Sequence, residues 1–182
     1  MAEVVRKFPD AVALVVGGAH RSGRSYAARL RARVRELGLE GNVLFTGARE
    51  DVADLMGCMD VVAHTSVQPE PFGRVIIEGM CVGRPVVATD AGGVPEFVRD
   101  GENGLLVPAG DPDALARALC RLFSDESLRA RLSDGALRSV ARFSVERHVR
   151  AVTDIYDSLA SRYGISEGRK TQRSGSALAA GL

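Results

Sequence analysis

Short apolar runs and three-to-four-residue apolar periods alternate along this chain. Residues 11–16 (AVALVV) form a β-branched run that ends at Gly17-Gly18, the pattern of a buried strand. In residues 25–37 the apolar positions Ala27, Leu30, Val34 and Leu37 recur at helical spacing, with arginines between them and Gly38 as a stop. Further strands are predicted at 42–47 (NVLFTG), 60–65 (DVVAHT), 85–89 (PVVAT) and 104–107 (GLLV). Between and after them, helical patterns cover 51–59, 73–82, 112–123, 126–141 and 145–163. Asp111 suits an N-cap and Pro112 a first helical position. Strands alternating with helices predict an α/β domain with a Rossmann-like parallel sheet and flanking helices. Ligands of such sheets bind at the carboxyl ends of the strands. The loops after Val16, Thr46, Thr65 and Thr89 are therefore where chemistry is expected. Residues 1–164 read as one domain, and 165–182, rich in Gly, Ser, Ala and basic residues, as a disordered tail.

Composition narrows the function classes. The 182 residues hold 24 basic and 23 acidic side chains, a net charge of +1. That balance argues against a dedicated nucleic-acid binder. Cys58, Cys81 and Cys120 stand far apart with no CxxC pair, so neither a disulfide frame nor a zinc site is expected, and they read as small apolar residues. No apolar run approaches the length of a membrane span, and the first residues lack a signal-peptide core. The expectation is a cytoplasmic protein. No GxSxG elbow or GxGxxG fingerprint is present.

The most informative segment is residues 70–78, EPFGRVIIE. It follows the third strand and opens the apolar helix. Amides at a helix start are unpaired and point outward, and the helix dipole adds partial positive charge. Gly73 permits close approach to the backbone. Together these make a candidate anion site of the phosphate-binding kind. Arg74 adds a charge there, or is simply solvated. Glu70 and Glu78 would repel phosphate, which is tolerable where each accepts hydrogen bonds from sugar hydroxyls. The plainer account makes Glu70 a loop carboxylate and Glu78 a paired helix residue. His64, at the end of the third strand, either faces a ligand or is a satisfied structural residue.

These glutamates belong to a longer ordered pattern. Phe8-Pro9-Asp10 leads to Leu14-Val15-Val16-Gly17, then to Val43-Leu44-Phe45-Thr46-Gly47 and Asp60-Val61-Val62. Glu70-Pro71-Phe72-Gly73 and Glu78-Gly79-Met80 follow, then Gly83-Arg84-Pro85-Val86-Val87-Ala88-Thr89 and Gly92-Gly93-Val94-Pro95-Glu96. Asp100-Gly101-Glu102-Asn103-Gly104-Leu105-Leu106-Val107, Asp111-Pro112 and Leu115-Ala116 close it. In this order they make residues 8–143 resemble the C-terminal, donor-binding domain of group 1 (family 4) retaining glycosyltransferases, the second half of a GT-B fold.

The resemblance implies a domain that binds a nucleotide sugar for retaining transfer to an acceptor, without a metal or other cofactor. By position in the E-x7-E motif it places Glu70 at the donor sugar and Glu78 on the ribose hydroxyls. Amides around Phe72, Gly73, Arg74 and Val75 meet the diphosphate and sugar, and Gly47 with Arg49 lies near the base. Arg49 equally suits a surface salt bridge, and Glu96 a supporting role. The acceptor side falls to an N-terminal domain or partner chain, through which alone a peripheral membrane contact would arise. The alternative is an inactive nucleotide-sugar-binding module or a subunit of a split enzyme.

Departures from the family pattern matter too. Gly79 stands where alanine is common, and Cys81 where another small residue is usual. The family's first strand, and the Arg and Lys that neutralise the diphosphate, have no match here; Arg6 and Lys7 end the helix that would follow them. His20, Arg21 and Arg24 stand in a loop that can substitute in part, or is solvated. A doubly wound order 3-2-1-4-5-6 puts the absent strand at the sheet's centre. Two outcomes are expected: strand 11–16 pairs directly with strand 60–65, or another chain supplies the strand. On the last helix Tyr156 and Tyr163 are expected to cover apolar surface.

Overall fold

The computed structural model describes residues 1–18 and 23–164. His20, Arg21 and the expected tail at 165–182 lie outside the described residues. Two compact units are present, Met1–Ala141 and Arg142–Leu182.

In the first unit, helix α1 (Ala2–Lys7) precedes strand β1 (Ala13–Val16), α2 (Arg24–Glu36), β2 (Val43–Gly47), α3 (Val52–Gly57) and β3 (Val62–His64). Then come α4 (Arg74–Cys81), β4 (Val86–Thr89), a 3-10 turn (Val94–Glu96), β5 (Leu105–Val107), α5 (Pro112–Ser124) and α6 (Glu126–Val140). Every strand predicted from the apolar runs is present, trimmed at its ends.

All strand ladders are parallel, and they form two sheets: β1-β2 and β3-β4-β5. This corrects one expectation, because β1 does not pair with β3. The reason lies in how β1 is anchored. Val4 of α1 is fully buried, and Phe8 sets its ring edge-on to Phe123 of α5 at 5.5 Å. Asn42 then donates to the carbonyls of Pro9 and Ala11 at 2.8 and 3.0 Å. These contacts hold the entry to β1 against α5 and β2, and sliding β1 onto β3 would forfeit them. The pairings are those of the 3-2 and 4-5-6 sides of a doubly wound order.

The two sheets are buried to very different degrees. All four residues of β4 are buried. Val87, Leu105 and Val107 pack with Leu122 of α5 and Leu128 and Leu132 of α6 as the main core. By contrast α2 has no buried residue. It is held to β2 by Leu39, which is buried, and by Arg31 over the Phe45 ring at 4.3 Å.

Side-chain caps start the C-terminal helices. Asp111 accepts from the Ala114 amide and Asp125 from the Leu128 amide, each at 2.8 Å. The Leu128 amide, with the Ser127 hydroxyl, holds the Asp125 carboxyl below the usual carboxylate range. Asn103 is a buried polar hub. Its Nδ2 donates to the Phe97 carbonyl at 2.9 Å and to Ser139 Oγ of α6 at 2.8 Å, and its Oδ1 accepts from the Arg99 amide at 2.7 Å.

One sequence expectation about packing is revised, and one small residue is explained. Cys58 and Cys81 are exposed thiols at the C-terminal ends of α3 and α4. Gly79 is small for a reason: a Cβ there would stand 3.0 Å from the Cβ of Val62, so α4 rides directly on β3.

The second unit holds helix α7 (Val145–Arg162), started by Ser144, whose hydroxyl accepts from the Arg147 amide at 3.3 Å. Tyr156 and Tyr163 are exposed. No helix among the described residues is long and apolar enough to cross a membrane.

Candidate functional site

The site is built where β3 hands over to α4. Gly73 sits at the N-cap of α4 in the left-handed conformation, φ 76° and ψ 51°. A Cβ there would come within 2.9 Å of Ile76 Cδ1, so the position favours glycine on both counts. Ile76, Gly79 and Met80 anchor the buried face of α4. The Gly73 amide at its start then reaches back to the preceding loop.

Backbone amides here already hold an anion. Glu70 folds back so that its Oε1 accepts from the Gly73 amide at 3.0 Å and, more weakly, from the Phe72 amide at 3.4 Å. The Gly73 and Phe72 amides hold its carboxyl below the usual range, with His64 adding to the effect against partial desolvation. The amides of Arg74 and Val75 have no acceptor within the helix, as at any helix start.

A second loop braces this one from the end of β4. The Gly93 amide donates to the Glu70 carbonyl at 2.9 Å. A Cβ on Gly92 would fall 2.3 Å from the Glu70 carbonyl oxygen, and one on Gly93 2.3 Å from that of Pro71. The Phe72 and Phe97 rings approach to 6.2 Å. The loop after Thr89 was expected at the site, but the bracing role of Gly92 and Gly93 was not. Its signal was a glycine pair just past a strand end, where two loops must touch.

The remaining candidates fall in two groups. One turn along α4, Arg74 Nη2 lies 3.2 Å from Glu78 Oε1, so the guanidinium is turned onto that carboxylate. Glu78 itself is half-exposed. The exposed i,i+4 pair is weak, and it leaves Glu78 open to another partner at little cost. Gly47 ends β2 of the other sheet, and Arg49 lies in the loop just after it. The Gly17 amide donates to the Gly47 carbonyl at 2.9 Å, and Gly47 has φ 73°. Arg49 forms a two-pronged pair with Asp51 at 2.7 and 2.5 Å, the salt bridge weighed from the sequence. The pairing raises the Arg49 pKa and lowers that of Asp51.

Residues 1–125 match the family model described as glycosyl transferases group 1. The chain belongs to that family. It is 36% identical over 162 residues to a D-inositol 3-phosphate glycosyltransferase of Corynebacterium urealyticum, covering 87% of this chain and 38% of the relative. Over 122 residues it is 42% identical to the lipopolysaccharide core biosynthesis glycosyltransferase LpsE of Rhizobium meliloti, covering 66% of this chain and 34% of that one. Among solved structures it resembles Anabaena HepE in complex with UDP, with TM-score 0.78 and 37% identity, over 87% of this chain and 44% of that one. The same neighbour was also solved with UDP-glucose. The α/β architecture expected of a GT-B half is therefore the fold of this glycosyltransferase chain. The chain spans little more than a third of the length of these curated relatives.

Proposed function

We propose that this glycosyltransferase chain binds a nucleoside-diphosphate sugar at the β3–α4 junction and serves as the donor side of a retaining sugar transfer. The observation that carries this reading is the carboxylate of Glu70 seated on the Gly73 and Phe72 amides. Those amides donate to an anionic oxygen in a place that a phosphate or sugar oxygen can take instead. In the donor complex the amides of residues 72–75 meet the diphosphate and sugar, with amide dipoles in place of a metal ion. Glu78, freed from Arg74, accepts from the ribose hydroxyls, and Glu70 orients the donor sugar. Gly47 and Arg49 stand on the base side. The greater length of the relatives supports a second domain or a partner chain that carries the acceptor, so that this chain binds more readily than it transfers.

The test is calorimetric titration of the chain with UDP, GDP and ADP and with their sugar conjugates. Binding of at least one nucleotide is expected. Glu78→Ala should weaken it about ten- to a hundredfold, the size of a charged hydrogen-bonding pair lost from a binding site. No binding by any of the three, or equal binding by the variant, would overturn the reading.

A further inference from the structure

His64 occupies a position where an apolar residue is expected. Along β3 burial alternates, with Val62 and His64 inside and Ala63 outside. His64 pairs in register with Ala88 on the fully buried β4, and only 8% of it is exposed. A histidine here takes two ring nitrogens out of water. Its Nδ1 is buried and has no hydrogen-bond partner among the described residues. A bare polar atom inside a protein is costly and asks for an explanation.

The other nitrogen supplies it. Nε2 lies 3.2 Å from Ser66 Oγ and 3.9 Å from Glu70 Oε2. The two oxygens of Glu70 thus face different groups: Oε1 the amides at the start of α4, Oε2 the imidazole. An acceptor lone pair is the less costly atom to leave bare, so the arrangement places the ring proton on Nε2.

Nucleotide-sugar binding creates a problem that this geometry answers. When a ligand oxygen takes the Gly73 and Phe72 amides, Glu70 loses its donors beside an incoming anion. It then needs another donor within a small side-chain rotation. We propose that His64 is the positioning residue of Glu70: its Nε2–H, turned from Ser66 Oγ to the carboxylate, holds Glu70 at the donor sugar once ligand occupies the amides. This rests on the donor-binding reading above. His64 acts only through Glu70, so its effect falls on recognition of the sugar and not of the bare nucleotide.

The experiment compares wild type, His64→Leu and His64→Gln by calorimetry with three pairs: UDP and UDP-glucose, GDP and GDP-mannose, ADP and ADP-glucose. In His64→Leu the affinity for the sugar conjugate, relative to its bare nucleotide, should fall about tenfold, the effect of one charge-assisted hydrogen bond. Bare-nucleotide affinity should stay within about twofold. His64→Gln, which keeps an N–H donor, should recover most of the loss. A parallel fall for both ligands of a pair, an unchanged ratio, or a glutamine variant no better than leucine would overturn the proposal. Nitrogen-15 spectra of histidine-labelled wild type test it without any variant. They should show the His64 proton on Nε2, and a proton on Nδ1 would overturn it as well. Wild type that binds none of the six ligands would instead bring down the donor reading itself.

Discussion

Gly92→Ala is expected to abolish nucleotide binding and to lower the melting temperature by roughly 6–12 °C, for a stability loss of about 3 kcal/mol. Two costs combine. At φ 64° an alanine Cβ crowds its own carbonyl, at about 1–2 kcal/mol. The same Cβ falls 2.3 Å from the Glu70 carbonyl oxygen and 2.8 Å from the Glu70 nitrogen. Backbone cannot yield as a flexible side chain does, so the loop after β4 must part from the loop after β3. Parting breaks the 2.9 Å bond from the Gly93 amide to Glu70 and shifts the residue whose carboxylate accepts from the Gly73 amide. Gly101→Ala separates the two costs. Gly101 has φ 76° and open space where its Cβ would go, so that variant carries the conformational cost alone. Thermal melts and nucleotide titrations of both variants should show Gly101→Ala losing about half as much stability or less and binding normally. Equal melting points with binding intact in both would mean that the two loops are not mechanically joined.

Gly135→Ala should destabilise the protein by about 3–5 kcal/mol, against the direction that helix propensity predicts. In an exposed helix interior this exchange stabilises by about 1 kcal/mol. Here the helix is pressed against a turn: the new Cβ would lie 2.0 Å from the Glu102 carbonyl oxygen and 3.2 Å from Asn103 Cα. Helix α6 cannot retreat without penalty. Ser139 Oγ accepts from Asn103 and donates to the Gly135 carbonyl, both at 2.8 Å, and Asn103 also secures Phe97 and Arg99. Backing off leaves buried polar groups unpaired, which adds to the steric cost. Urea unfolding would show the loss as a lower midpoint. A midpoint raised above wild type would show that α6 has room the structure does not contain.

Much of this arrangement was legible in the residue order, for reasons that can be named. Strand β4 was visible because all four of its residues are buried, which makes Val86, Val87 and Ala88 an unbroken apolar run ending at Thr89. Helix α5 announced itself through Asp111-Pro112, and the Asp111 cap is formed as its chemistry suggested. The start of α4 was legible as an anion site because a glycine before an apolar helix leaves few other uses for its amides. The occupant of that site was not. Whether Glu70 faces solvent, a sugar or its own amides depends on the left-handed turn at Gly73 and on the brace from Gly93, neither of which has a local pattern. The division into two sheets was hidden for a related reason. Strand pairing is a long-range choice, and here it is decided by Val4 and Phe8 packing on α5, more than a hundred residues away in sequence for the Phe8–Phe123 contact. Asn103 looked like one residue of a turn; its hydrogen bond to Ser139 joins two segments that no spacing rule connects.

The unequal burial of the two sheets has a consequence for how the protein opens. Strand β4 and its neighbours separate only when the main core does, so their exposure to solvent requires nearly the full unfolding free energy. The lobe of β1, α2 and β2 has no such obligation: α2 buries nothing, and Val15, Val16 and Leu44 are exposed within the strands themselves. Sub-global opening of this lobe therefore lies at a lower free energy, as a cooperative unit of its own. Gly47 and Arg49 ride on that unit, while Gly73 and Glu70 are tied to the core through Ile76 and the Gly93 brace. Gly47 and Arg49 thus belong to a different cooperative unit of the fold from Gly73 and Glu70, one free to exchange with solvent while the other keeps its shape.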